Sequence, residues 1–502
     1  MSTNVLTKLQ RWVVLAIVSS ALFLIVIDMT VLYTALPQLT HDLSASASEK
    51  LWIVNIYPLV MAGLLPGLGT LGDRLGHKRL FVIGLIIFGI ASLIAAYAPA
   101  PNVLIVARIL LAVGAAMMMP ATLSIIRTTF LDERERSLAI GIWASVSSVG
   151  AGMGPLVGGV LLEHFWWGSV FLINIPIAIV ALILAIVLIP NRQGNKNKTW
   201  DLIGSIEIMI GLIGLVYAIK EISRREGSYT IALISAVIGV AAMIVFVRRQ
   251  RQSSQPLIDF SLFRDSRFTT GVLTALLSCF ALIGMELIVT QRLQLVLGYS
   301  PLEAGLYVVF TSIASFIAGI LTGSVLHRVD QMKLQWICLF VAGVGMGTLL
   351  IFHNGNIILQ IAALMILGAG LGGAMTSASN TIMLNVPIEK AGMAASIEEV
   401  SFELGSALSV TLLGSLSSFV YTASLVVPEG LTVSPIVRDS LDEALIVAEN
   451  LPGTSGSTLI EYAKSAFDQS FVVVIATATV ILFVSSLIIR IAAHRTTGKK
   501  LH

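Results

Sequence analysis

The chain is short of charge. Only 12% of its 502 residues are Asp, Glu, Lys or Arg, where a soluble domain carries about a quarter, and that excludes a water-exposed globule. It is also short of cysteine. Cys279 and Cys338 are its two thiols, both inside apolar runs, so neither a disulfide framework nor a metal site is indicated. No His-Glu-x-x-His helix, Gly-x-Ser-x-Gly elbow or Gly-rich loop ending in Lys occurs, so no enzyme is expected and no cofactor beyond a coupling ion. The basic clusters lack interleaved aromatics or a folded domain around them, which argues against a nucleic-acid partner. There is no low-complexity linker.

Apolar sequence is what the chain has in excess, at 56% hydrophobic. About fourteen runs come near the roughly 20 residues that cross a bilayer as a helix. They lie close to 12–36, 51–71, 80–98, 103–126, 138–162, 168–190, 202–220, 230–247, 269–290, 304–326, 335–352, 357–383, 394–420 and 467–490. The expected class is an all-α integral membrane protein whose partner is the lipid bilayer. The first run is too long for a signal-peptide core and carries an acid, so it reads as a retained helix. An even helix count puts both termini on one side. The loops sharing that side hold most of the 31 Lys and Arg: Arg74, Lys78 and Arg79; Arg134 and Arg136; Arg192, Lys196 and Lys198; Arg248, Arg249 and Arg251; Lys499 and Lys500. By the positive-inside rule both termini are cytoplasmic.

Within this apolar background, ionisable residues are the candidates for function. A carboxylate in a membrane helix costs roughly 2.5–3.5 kcal/mol on insertion scales. Asp28 stands well inside the first run. It reads either as a partner that locks packing by pairing with Arg108, the one basic residue placed inside hydrocarbon, or as a proton or cation site. Glu286 reads as a cavity acid or as one arm of an external salt bridge, a pairing with Arg292 being poorly spaced. Glu207 lies near the cytoplasmic end of its run, where it can reach water. The run from Ala394 carries Glu398, Glu399 and Glu403. At about 100° per residue, Glu399 and Glu403 share a face and Glu398 lies about a quarter-turn aside. Three acids in two turns cannot all be ionised without partners or water.

Other residues mark turns and close packing. The loop Gly69-Thr70-Leu71-Gly72-Asp73-Arg74-Leu75-Gly76-His77-Lys78-Arg79 has glycines for a tight turn and, in Asp73, an acid placed to cap a helix and pair with a neighbouring Arg. Gly150, Gly154 and Gly158, four apart, form a stripe along which another helix can approach, followed by Gly159 and interrupted by the bend of Pro155. The longest connection, 421–466, is external, with Pro428, Gly430, Pro452 and Gly453 punctuating two possible short helices.

These motifs carry a resemblance. The Gly69–Arg79 loop is similar to the loop 2-3 signature of the major facilitator superfamily, with His77 where Arg is usual, and His327 to Lys333 is its degraded echo in a second half. The Gly150–Gly159 run resembles the antiporter motif of that superfamily's exporters. Phe171-Leu172-Ile173-Asn174-Ile175-Pro176, Ile27-Asp28-Met29-Thr30, Leu51-Trp52-Ile53-Val54-Asn55-Ile56-Tyr57 and Ile397-Glu398-Glu399 resemble the fourteen-helix drug:proton antiporters. Within them, the chain is most similar to quaternary-ammonium and methyl-viologen exporters.

The resemblance implies two six-helix bundles, 1–190 and 251–502, with two inserted central helices at 191–250. It implies a monomeric exporter of lipophilic organic cations, driven by protons, in the bacterial inner membrane. Asp28, Arg108, Glu286, Glu398, Glu399 and Glu403 would serve proton coupling and cation binding. Tyr33, Trp52, Asn55, Tyr57, Met117 and Phe402 would line the cavity with aromatic and soft contacts. Gly69, Asp73, Arg74, Gly76, Gly150, Gly154, Pro155, Gly158 and Gly159 would govern the conformational change. Asn55 departs from the pattern, since similar exporters usually have Asp there; the neutral wall would favour monovalent over divalent cations. A proton-coupled uptake carrier of the same fold is the alternative.

Overall fold

The computed structural model describes residues 7–498, apart from 44, 46, 193, 196–199, 224–227, 255, 388–389, 428–432, 439–440, 450 and 452–454. Lys196, Lys198, Lys499, Lys500, Pro428, Gly430, Pro452 and Gly453 therefore lie outside the described residues. So do the side chains of Tyr33, Asn55 and Pro155.

Sixteen α-helices follow one another: α1 Lys8–Asp42, α2 Ala47–Leu75, α3 His77–Ala96, α4 Pro101–Thr129, α5 Glu133–His164, α6 Ser169–Leu172, α7 Asn174–Leu188, α8 Leu202–Ser223, α9 Tyr229–Gln252, α10 Ser266–Gln291, α11 Pro301–Val325, α12 Gln331–Phe352, α13 Ile357–Leu384, α14 Ala391–Ser424, α15 Leu441–Glu449 and α16 Ser455–Gly498. Thirteen spans are long and apolar enough to cross a membrane. The 29-residue α2 supplies the fourteenth. The sixth span is broken into α6 and α7 at Ile173, three residues before Pro176.

Local chemistry sets the helix ends. Asp132, Ser228, Asp330 and Asn356 accept hydrogen bonds from backbone N–H groups of the first turns of α5, α9, α12 and α13, and Ser300 with Glu303 forms a reciprocal box at the start of α11. Beyond Gln291 the tenth helix widens into a π turn, Arg292–Val296.

Two bundles flank an inserted helix pair, the arrangement expected of the major facilitator fold. One apolar core is built from buried residues between Val14 and Ile189, joined by Met383 and Ala395 of the second half, and a second from residues between Phe280 and Ile489. The inserted pair α8–α9 packs on α2 and α14 around Ala62, Ile208, Leu212, Phe246 and Leu257.

Two seams join the halves. Along the first, α5 meets α11 so closely that a Cβ at Gly141 would lie 2.8 Å from the Gly319 carbonyl and 3.0 Å from Gly323 Cα. Along the second, α2 meets α14, and a Cβ at Gly69 would lie 2.4 Å from the Gly392 carbonyl.

The connection expected over 421–466 is shorter and better docked than a solvated loop would be. The helix α14 runs on to Ser424 and α16 begins at Ser455. Between them a 3-10 turn, Pro435–Arg438, and α15 bury Val437, Leu441, Ala444 and Ala448 in the second core. The Tyr421 hydroxyl donates to the Val437 carbonyl at 3.0 Å.

Candidate functional site

The carboxylate of Asp28 sits in a closed polar knot made by five helices. Its Oδ2 accepts from Arg108 Nη1 of α4 at 2.7 Å, and its Oδ1 accepts from Asn174 Nδ2 of α7 at 2.9 Å. Arg108 Nε also donates to the Ile53 carbonyl of α2 at 3.3 Å, and its guanidinium lies over the Tyr57 ring, 4.5 Å from the centroid. Asp28 is 2% exposed and Arg108 1%, so each charge is cancelled by the other rather than by water. Asn174 completes the knot through Ser92 of α3, 3.3 Å away. The break at Ile173 starts a new helix at Asn174 and brings its amide to the acid.

The acids of α14 have no such compensation. Glu398 and Glu399 are 0% and 1% exposed, and neither is ion-paired to a cation among the described residues. Glu398 Oε1 accepts from the Ser379 hydroxyl of α13, while Glu398 Oε2 and Glu399 Oε1 have no hydrogen-bond partner. Glu403 and Glu286 are partly buried. Glu286 lies on α10, which packs along α14, and a Cβ at Gly405, two residues beyond Glu403, would lie 3.2 Å from Cys279 Cβ of α10. The helix α14 also packs on α2 and α4 of the first half, the helices that carry Tyr57 and Arg108. Burying ionised carboxylates in this way requires a compensating proton or cation.

Glu286 does not meet Arg292. That arginine is held by Asp468 at 2.7 Å, by the His353 carbonyl at 3.0 Å and by Asn354, and it lies over Phe471. The ion pair of Arg292 is therefore made with Asp468. Glu207 pairs with Arg249 at 3.2 Å at the end of the inserted pair, where Asp201 also meets Arg249.

Of the expected cavity residues, Tyr57 is fully buried under Arg108 with its hydroxyl unpartnered. Trp52 is exposed, and Phe402 is partly buried beside Glu403 in sequence. Met117 is buried in the first core, its Cβ 3.1 Å from where a side chain on Gly84 of α3 would begin.

The motif residues fall into three groups. Asp73 reaches across the second seam, where its Oδ1 accepts from the Gly392 backbone N–H at 3.2 Å in the first turn of α14, a favourable place for an anion. His77 lies 3.2 Å from it, and the Asp73 carbonyl accepts from Asn195 N–H at 2.9 Å. Gly76 has φ +94°, a value that only glycine adopts without strain, and Arg74 is exposed without an ion pair among the described residues.

Gly150 and Gly154 face α1, and a Cβ at Gly154 would fall 2.0 Å from Thr30 Oγ1. Gly158 is buried. A Cβ at Gly159, which stands beside that stripe, would meet nothing within 4 Å. Nearby, Lys390 bonds Asp259 at 2.6 Å; this bond, with that of Ser261, holds the Asp259 carboxyl down at about 2.

Known proteins match over most of the chain. A family profile described as the Major Facilitator Superfamily matches residues 18–410. The multidrug efflux pump LfrA of Mycolicibacterium smegmatis is 37% identical over 492 residues, 97% of each chain. The methyl viologen resistance protein SmvA of Salmonella typhimurium is 37% identical over 472 residues, covering 93% of this chain and 95% of that protein. The solved structure of the human organic anion transporter MFSD10 superposes with a TM-score of 0.62 at 10% identity, covering 95% of this chain and 100% of that one, a likeness of fold alone.

Proposed function

Because the chain belongs to the major facilitator superfamily, and is therefore a multi-pass membrane transporter rather than an enzyme, we propose that it exports lipophilic organic cations in exchange for protons. Its place is the bacterial inner membrane, as a monomer with the basic end and both termini in the cytoplasm. Its cargo is quaternary ammonium compounds, cationic dyes and viologens. The names of the 37%-identical relatives support drug export. The observation that carries the rest is the uncompensated set on α14, buried Glu398 and Glu399 with Glu403 beside them.

Either a proton or an organic cation can balance a carboxylate that has no fixed counter-charge, and the two compete for it. A cation arriving from the cytoplasm or inner leaflet displaces a proton, and a proton from outside displaces the cation. Competition for one set of acids is enough to couple the fluxes. Asp28 contributes differently. Its charge is already neutralised by Arg108, so the knot fixes α1, α2, α4 and α7 relative to one another, with the Tyr57 ring held beneath the guanidinium.

The test is efflux of ethidium and of methyl viologen from loaded cells expressing the protein, with and without a proton uncoupler. Net export that stops on uncoupling is expected. Export indifferent to the uncoupler would remove proton coupling, and accumulation inside the cell would make the protein an uptake carrier.

A further inference from the structure

The end of the bundle that carries the basic loops is held shut by a contact that none of the recognised motifs includes. Arg127 lies in the last turn of α4 and is 8% exposed. Its Nη1 donates to the Met383 carbonyl and its Nη2 to the Val386 carbonyl, both in the second half, where α13 ends and the turn to α14 begins. The last carbonyls of a helix have no partner within it, and a cation is favoured there by the helix dipole. Arg127 therefore caps α13 from the opposite half of the molecule. A guanidinium can grip two carbonyls at once, and an ammonium cannot reproduce that fork.

Its neighbours tie both helix ends to the first half. One turn earlier, Asn380 Oδ1 accepts from the Ser137 hydroxyl of α5 at 3.3 Å. Met383 and Ala395, one on each side of the turn, are packed into the core of the first half. Between them, Asp73 holds the start of α14. The end of α13 and the start of α14 are thus seated in the first bundle although they belong to the second. Ser379, adjacent to Asn380, carries the hydroxyl that bonds Glu398, so the same stretch of α13 touches both the acid and the closure.

We propose that Arg127 is the positioning residue of an inner gate: it holds the end of α13 and the start of α14 against the first half by capping α13 across the interface, and the cytoplasmic side opens when both guanidinium bonds release together. Cargo loading from the cytoplasm then requires these two helix ends to leave the first bundle together.

The two native thiols give a direct reporter. Cys338→Ser leaves Cys279, partly exposed among the acids, as the sole cysteine. Its labelling by a membrane-impermeant maleimide is measured in right-side-out and in inverted vesicles, for Arg127, Arg127→Gln and Arg127→Lys. Loss of two charge-assisted bonds in Arg127→Gln should raise labelling from the basic end by about tenfold or more and lower it from the other end, a population shift rather than loosening. The Arg127→Lys protein keeps the charge without the fork and should show a one-sided rise of about threefold. This lysine variant decides the matter if the glutamine variant fails to reach the membrane. Labelling that is unchanged, or that rises equally from both ends, overturns the proposal. The readout needs neither a proton gradient nor a substrate, so it can fail while the antiport reading survives, and the reverse.

Discussion

Asp28 and Glu399 are two carboxylates of almost equal burial in membrane-spanning helices, and the structure treats them in opposite ways. Asp28 has a guanidinium on one oxygen and an amide on the other. Glu399 has an unpartnered oxygen and two further acids on its own helix. A cancelled charge has little pull on a passing cation, whereas an uncancelled one in low dielectric must find a counter-charge. On the antiport proposed above, the first half would supply a rigid neutral wall and the second the exchangeable charge.

Breaking the knot should cost the most. Arg108→Gln, or Asp28→Asn, leaves one buried charge without its partner, and such losses run about 3–5 kcal/mol. We expect a large fall in melting temperature in detergent for either single variant. Stability should partly return in the double variant, because both charges are then gone. If the single variants melt like the parent, the knot is not a structural element. By contrast, Glu399→Gln removes a charge that nothing compensates, so stability should hold or rise while coupled export is lost. A variant that melts early would place Glu399 in the frame with Asp28.

The next effect is steric and lies inside the first half. Gly154→Leu puts a side chain where Thr30 already stands, and overpacking of this kind costs about 1–3 kcal/mol. Gly159→Leu, at the neighbouring motif glycine, should be tolerated. Equal losses at the two positions, read as export rate at matched expression, would show that the motif does not act through contact with α1.

The smallest effect is the tie between Asp259 and Lys390. Its Lys390 side chain is 38% exposed, and pairs of this kind contribute roughly 0.2–1 kcal/mol. Asp259 sits at about 2, below the model-compound value of 3.8, so the contribution is complete above the higher value and is lost as pH falls through the lower. Asp259→Asn should therefore lower melting temperature slightly at pH 7 and by less near pH 2, where the folded carboxylate is half protonated. A difference undiminished at the acid end would mean that the loss is one of packing rather than charge.

The spans could be read from the sequence because a length of apolar residue is itself the membrane signal. The Asp28–Arg108 pairing was one of two readings open for those residues. Asn174 was visible only as part of a motif: a lone amide in an apolar run does not say which acid it will reach, and only the break at Ile173 brings it there. The glycines show the same limit. Gly150 and Gly152 are about 200° apart on α5 at about 100° per residue. One therefore faces α1 while the other meets Ser312 of α11, so the stripe at 150, 154 and 158 could not reveal the seam made by Gly141, Gly152, Gly319 and Gly323. Arg127 was hidden for a different reason, since two of its partners are backbone carbonyls, which leave no side-chain signature.

The central claim, that the proton and the cargo exchange on the acids of α14, can be tested without transport. Purified protein in lightly buffered detergent is mixed with tetraphenylphosphonium at a pH near neutral, and the protons released on binding are counted with an indicator dye. The account predicts release from the parent and its loss when Glu398, Glu399 and Glu403 are all replaced by Gln in a protein that still folds. Release undiminished in that triple variant would contradict it.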